Sequence, residues 1–127
     1  MEYRTLGSTG IRVSALGFGC GAVGGLLTGG DADTQLRAVA RAVEAGITYF
    51  DTAQAYGNGA SEASLGRVLA LLKPDVTVGS KVVLRGDDFQ DIEGAIVRAV
   101  AASLQRLRLP RLALFQLHNA IEQQRDA

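Results

Sequence analysis

Residues 19–24 read GCGAVG, and the fold turns on what those glycines do. The spacing Gly19, Gly21, Gly24 satisfies G-x-G-x-x-G, the fingerprint of the doubly wound nucleotide-binding fold. That fingerprint needs a strand before it, a helix opening inside it, and an acidic residue about twenty positions later at the end of the next strand. SALGF, 14–18, reads as the strand. GLLTGG, 25–30, then brings further glycines without a helical register, so no helix N-terminus is expected there to receive a pyrophosphate. The next strand ends only at Asp51, well past the required distance. The doubly wound reading is therefore set aside, and the loop needs another use.

Working outward, YRTL (3–6) and IRVS (11–14) flank the turn-rich GSTG and predict a small hairpin ahead of the main fold. Beyond the glycines the period changes: Leu36, Val39, Ala40 and Val43 recur at helical spacing, with Asp31 or Asp33 as N-cap and Gly46 as stop. ITYF (47–50) is a short apolar strand running into Asp51, followed by the loop AQAYGNG. Leu65, Val68, Leu69 and Leu72 mark a second helix, ended by Pro74. VTVGSK (76–81) is a third strand. Ile92, Ile96, Val100, Leu104 and Leu107 mark a third helix, with Pro110 beyond it, and LALFQLH (112–118) is the fourth strand. The tail IEQQRDA (121–127) could begin another helix. This α/β order, strand and helix three times and then a strand, has crossovers long enough to make neighbouring strands parallel. A doubly wound sheet or a barrel could follow.

At 127 residues and 47% hydrophobic, the chain has the length and the apolar content of one domain. Its 13 basic residues balance 13 acidic ones, so no global field favours nucleic acid or an anionic membrane, and neither is expected as a partner. The start MEYRTLGSTG has no secretory-signal order, and no apolar run approaches the roughly twenty residues of a membrane span. Cys20, the single cysteine, fits a reducing cytoplasm. With one histidine it cannot build a structural zinc site, and no metal is expected.

In parallel sheets flanked by helices, chemistry gathers outside the carboxyl ends of the strands. The second strand ends at Asp51, the third at Lys81 and the fourth at His118, and Tyr56 lies five residues beyond Asp51, near enough to fold back over the same rim. A carboxylate keeps a neighbouring ammonium charged, and an ammonium favours a phenolate. Taken singly, Asp51 and Lys81 would read as a structural ion pair, Tyr56 as a half-buried loop aromatic and His118 as a core histidine; together they point to a site. Cys20 reads as a small buried hydrophobe, with a nucleophilic pairing to His118 the weaker reading. Glu62 reads as a structural carboxylate in the first turn of its helix, and Asn119 stays open between a turn and a substrate contact.

FDTAQAYG (50–57), GSK (79–81) and FQLHN (115–119) resemble the aldo-keto reductases, and the likeness runs from YRTLGSTGIRVSALGFG almost to the last residue. The resemblance implies a (β/α)8 TIM barrel with an amino-terminal hairpin across its base, and NADP(H) as cofactor, with NAD(H) as the alternative. It implies Tyr56 as general acid, Lys81 readying it, Asp51 holding Lys81, and His118 orienting the carbonyl. It also puts Gly19, Cys20 and Asp51 beside the nicotinamide and its ribose, so the glycine loop would give close backbone approach in place of a phosphate nest.

A whole barrel of this class needs about 250 residues, so this chain is expected to hold the amino-terminal half: a hairpin over 1–14, then βα units over 15–127, four parallel strands and about three helices. A half-barrel leaves its outer strands unpaired, and the expected partner besides a small carbonyl or alcohol substrate is a complementing carboxyl-terminal half. The intact enzyme would reduce an aldehyde, ketone or sugar carbonyl, with little activity left to this chain alone. The competing reading is a non-catalytic binding or regulatory protein on the same scaffold.

Overall fold

The computed structural model describes residues 1–121; the further helix expected from IEQQRDA falls on 122–127, outside the described residues. The hairpin is present: β1 (Tyr3–Thr5) pairs antiparallel with β2 (Arg12–Ser14), Tyr3 opposite Ser14. Four parallel strands follow in the order β3 (Phe18–Gly19), β4 (Tyr49–Asp51), β5 (Thr77–Val82), β6 (Leu114–Leu117), each beside its successor. Between β3 and β4 lie α1 (Leu26–Gly29) and α2 (Ala32–Glu44); α3 (Ala60–Leu72) and α4 (Ile92–Leu107) make the next two crossovers.

The helix ends are chemically marked. Asp31, not Asp33, caps α2, its Oδ1 accepting the Thr34 amide at 2.9 Å, and Asp91 caps α4 by accepting the Gly94 amide at 3.0 Å. Pro74 stops α3 as expected, after Lys73 turns left-handed at φ +48°.

Strand alternation sorts the side chains onto two faces. Phe50 on β4 and Val78 on β5, paired in register, enter the main core with Val39, Leu65, Val68 and Leu107. The Phe50 ring stacks on Phe18 at 5.3 Å. Tyr49, Asp51, Gly79 and Lys81 therefore share the opposite face, which carries the chemistry described below.

Three sequence expectations are corrected. The strand SALGF shrinks to Phe18–Gly19, because Ser14 ends the hairpin instead: its amide donates to Thr48 Oγ1 and the Thr48 amide donates to Ser14 Oγ, both at 2.9 Å. Those side-chain bonds replace ladder pairing at the start of the strand. GLLTGG does form a helical turn, α1, opened by Gly25 at φ +67° and held by the buried Leu27. Gln35 Nε2 donates to Leu26 O and Gly30 O at 2.9 Å each, closing that turn from α2. Being one turn long and starting at Leu26, it does not restore a phosphate-binding helix at Gly21.

The third correction concerns α4, which buries Ala95, Ser103 and Leu107, while Ile92, Ile96 and Val97 stay exposed. Leu107 is buried as expected and Val100 and Leu104 are half-buried, but Ala95 and Ser103 take the places expected of Ile96 and Leu104, one residue or about 100° away. Small residues on that face let α4 approach its neighbours: a Cβ on Gly66 of α3 would lie 2.4 Å from the Arg106 carbonyl oxygen. A 3-10 turn at Gly86–Gln90 also precedes α4 without a sequence signal. Among the described residues no helix is long and apolar enough to cross a membrane.

Candidate active site

Asp51 closes β4, Lys81 is the penultimate residue of β5, and His118 directly follows β6, its amide still bonded to Val82 O at 2.8 Å. Lys81 Nζ donates to Asp51 Oδ2 at 2.7 Å, to Thr52 O at 2.8 Å and to Tyr56 Oη at 3.3 Å. An ammonium has three protons, and here each has an acceptor, so a charge that is only 9% exposed is fully satisfied. The direction of the third bond matters most. Tyr56 Oη accepts from the ammonium, which leaves its own proton free to be donated elsewhere.

His118 stands edge-on to Tyr56, ring centroids 5.6 Å apart and planes at 86°. Among the described residues its Nδ1 is buried without a hydrogen-bond partner. All four residues expected at the rim thus meet on one side of the sheet. Asn119 does not join them: its amide clasps Leu84, accepting from the Leu84 amide and donating to the Leu84 carbonyl, both at 2.9 Å.

The loop that carries Tyr56 is tied down by residues that sequence reasoning missed. Gln54 Nε2 donates to Ala99 O at 2.7 Å and lies 2.9 Å from Ser103 Oγ, anchoring the loop to α4. Behind it, Ser61 Oγ donates to Cys20 O at 2.8 Å and lies 2.8 Å from Thr52 Oγ1, joining the loops after β3 and β4. These partners lie 9 to 49 residues apart in sequence, too far for any local pattern to announce them. Glu62 is in the first turn of α3 as expected, yet fully buried, bonded to Ser80 Oγ at 2.5 Å and paired with Arg106 Nε at 2.6 Å.

Gly19 and Cys20 are placed differently. Gly19 is exposed at the rim, with open space where a Cβ would stand, whereas Cys20 is buried whole: its side chain lies in the core, its amide donates to Asp51 O at 2.9 Å and its carbonyl accepts from Ser61 Oγ. Burial, then the charge of Asp51, pushes the Cys20 thiol up from 9.0 to about 12, against the smaller pull of Lys81. A folded state that keeps a proton the unfolded chain releases above 9.0 loses stability as pH rises from there towards about 12. Wild type should accordingly lose more of its urea midpoint over that range than Cys20→Ala does, and its thiol should resist iodoacetamide near neutral pH. Equal losses in the two proteins would remove Cys20 as the cause.

The family model for the aldo/keto reductase family matches residues 15–125. The chain belongs to that family. It is 36% identical to the aldo-keto reductase YhdN of Bacillus subtilis over 93% of its length. The aldo-keto reductase AKR11C1 from Bacillus halodurans, solved in a holo form, superposes with a TM-score of 0.75 at 34% identity, over 92% of this chain and 40% of that one. An aldo-keto reductase from Klebsiella pneumoniae solved with NADPH gives 0.74 at 27% identity, over 93% of this chain and 40% of that one. The match is to the amino-terminal portion of aldo-keto reductase (β/α)8 barrels, and this family member spans 38% of the length of YhdN. As a member of this family the chain brings a tyrosine hydroxyl, a lysine ammonium and an imidazole together on one face of its sheet.

Proposed function

We propose that this chain carries the proton-transfer side of an NADP(H)-dependent reduction of aldehyde, ketone or sugar carbonyls, with NAD(H) as the alternative cofactor. The observation that carries the reading is the ammonium of Lys81, bonded at once to Asp51 Oδ2 and Tyr56 Oη. Tyr56 gives its proton to the carbonyl oxygen, and Lys81 stabilises the negative charge left on the phenolic oxygen. Asp51 keeps that ammonium in place. His118, edge-on to Tyr56, aims the same carbonyl.

The residues present fit a nicotinamide. Gly19 leaves open space beside Asp51, its register partner on β4, so a flat group has room there against backbone. Gly19 and Asp51 would hold it, with the buried Cys20 supporting them from beneath, and when bound it supplies the hydride to the carbonyl carbon. Hydride on carbon and proton on oxygen together give the alcohol. A cytoplasmic setting suits the single reduced thiol.

The hairpin 1–14 and the βα units 15–127 then form an incomplete barrel, whose edge strands β3 and β6 call for a complementing carboxyl-terminal half. Purified 1–127 is expected to oxidise NADPH with an aldehyde panel slowly or not at all, and the chain fused to the carboxyl-terminal portion of YhdN to do so readily. Brisk turnover by the isolated chain would refute the need for a second half; a folded fusion inert towards every aldehyde, ketone and sugar would refute the reductase reading.

A further inference from the structure

Tyr49 stands two residues before Asp51 on β4 and so projects from the same face. Its hydroxyl donates to Asp51 Oδ1 at 3.2 Å, while Lys81 takes Oδ2 at 2.7 Å. The two carboxylate oxygens thus have different donors. A carboxylate held by one donor keeps a broad terminal torsion, and a second donor on the other oxygen restricts it.

The ring reaches this position through a slot made by its neighbours. A Cβ on Gly79, across from Asp51 on β5, would lie 2.7 Å from the Tyr49 hydroxyl, and a Cβ on Gly17, just before β3, would lie 3.0 Å from the Tyr49 ring. Neither glycine has a positive φ, so backbone conformation does not demand glycine at either place. The tyrosine does. Glycine inside a strand marks such a close approach.

We propose that Tyr49 is a positioning residue of the Asp51, Lys81 and Tyr56 group: its hydroxyl, admitted by the missing side chain at Gly79, holds Asp51 Oδ1 and leaves Oδ2 facing Lys81. The proposal deepens the reductase reading and rests on it. Burial, then the charge of Asp51, then the bond to Asp51 push Tyr49 up to about 12, against an opposing Gln116 amide, so the hydroxyl keeps its proton throughout the neutral range. It serves as a donor to the carboxylate, with no part in proton exchange.

The chain has two lysines, Lys73 and Lys81, so isotope-labelled lysine gives one signal from the site and one exposed reference. Tyr49→Phe keeps the ring and removes the hydroxyl. It is expected to speed solvent exchange of the Lys81 ammonium protons about fivefold to tenfold, the worth of one hydrogen bond, with Lys73 unchanged. Gly79→Ala drives a methyl group against the hydroxyl and is expected to do the same in the wild-type background, but to add little to Tyr49→Phe. In the fused, active chain kcat should fall by a similar factor at unchanged KM. Unaltered Lys81 exchange in Tyr49→Phe overturns the proposal, as does a Gly79→Ala effect of the same size with or without the hydroxyl; where Gly79→Ala folds poorly, Tyr49→Phe alone decides. A fusion without reductase activity whose Lys81 is still loosened by Tyr49→Phe sinks the reductase reading and leaves the Tyr49 contact standing.

Discussion

In the fused chain, Tyr56→Phe is expected to lower kcat for carbonyl reduction by about a thousandfold while KM for the carbonyl moves little. The phenol is proposed to act only as charge develops on the substrate oxygen, so its removal costs the transition state and not the bound ground state. Phenylalanine keeps the ring against His118 and over the ammonium, which lies 4.9 Å from the Tyr56 ring centroid. It leaves one Lys81 proton without its acceptor, but the Asp51 and Thr52 bonds remain to hold the side chain. Steady-state rates with NADPH and an aldehyde check the expectation. A fall of less than about tenfold would mean that another group delivers the proton, since general acid catalysis contributes about a hundredfold or more. The regulatory alternative makes the opposite forecast: partner binding indifferent to Tyr56→Phe, and no reduction to lose.

Gly66→Ala should be the most damaging single methyl group that can be added to the helical layer. Its Cβ would stand 2.4 Å from Arg106 O and 2.7 Å from the Leu107 carbonyl carbon and Cα. Those are backbone atoms of α4, so no rotamer change relieves the clash; the helix itself must retreat. Retreat would strain the buried Glu62 and Arg106 pair and pull Ala99 and Ser103 away from Gln54, the anchor of the Tyr56 loop. Overpacking of this kind costs about 3 kcal/mol or more, a large part of the roughly 5–15 kcal/mol that holds a domain together. Urea unfolding measures it, with Gly19→Ala as the control. A methyl group at Gly19 meets nothing within 4 Å and should change stability by less than about 0.5 kcal/mol. Equal midpoints for the two variants would show that α3 and α4 are not packed as closely as described.

The residues that face a rim were readable because strand ends are approximately so: an ionisable residue at or next to the end of a strand comes out near the rim. That is why Asp51, Lys81 and His118 could be named in advance, and why the FDTAQAYG stretch carried Tyr56 with them. The buried face of α4 was readable at Leu107 but not along its first half, because a stripe of large apolar residues and a stripe of small ones compete there, and the neighbours' shape decides between them. Here a glycine at 66 favoured close approach over bulk, and Ile92 and Ile96 were left outside. The α1 turn went unseen for a related reason: its carbonyls are capped by Gln35 from the next helix, and glycines at both ends hid the register.

Periodicity, caps and breakers in the sequence were enough for the order of the strands and the three long helices and for the side of the sheet on which ionisable groups would gather, since these depend on neighbours a few residues away. Tertiary structure alone decided which donor meets which acceptor: that Lys81 spends its three protons on Asp51, Thr52 and Tyr56, that Tyr49 takes the second oxygen of Asp51, and that Gln54 reaches α4. Hydrogen bonds are settled over a few tenths of an ångström between segments tens of residues apart, and only the packed backbone sets distances that fine.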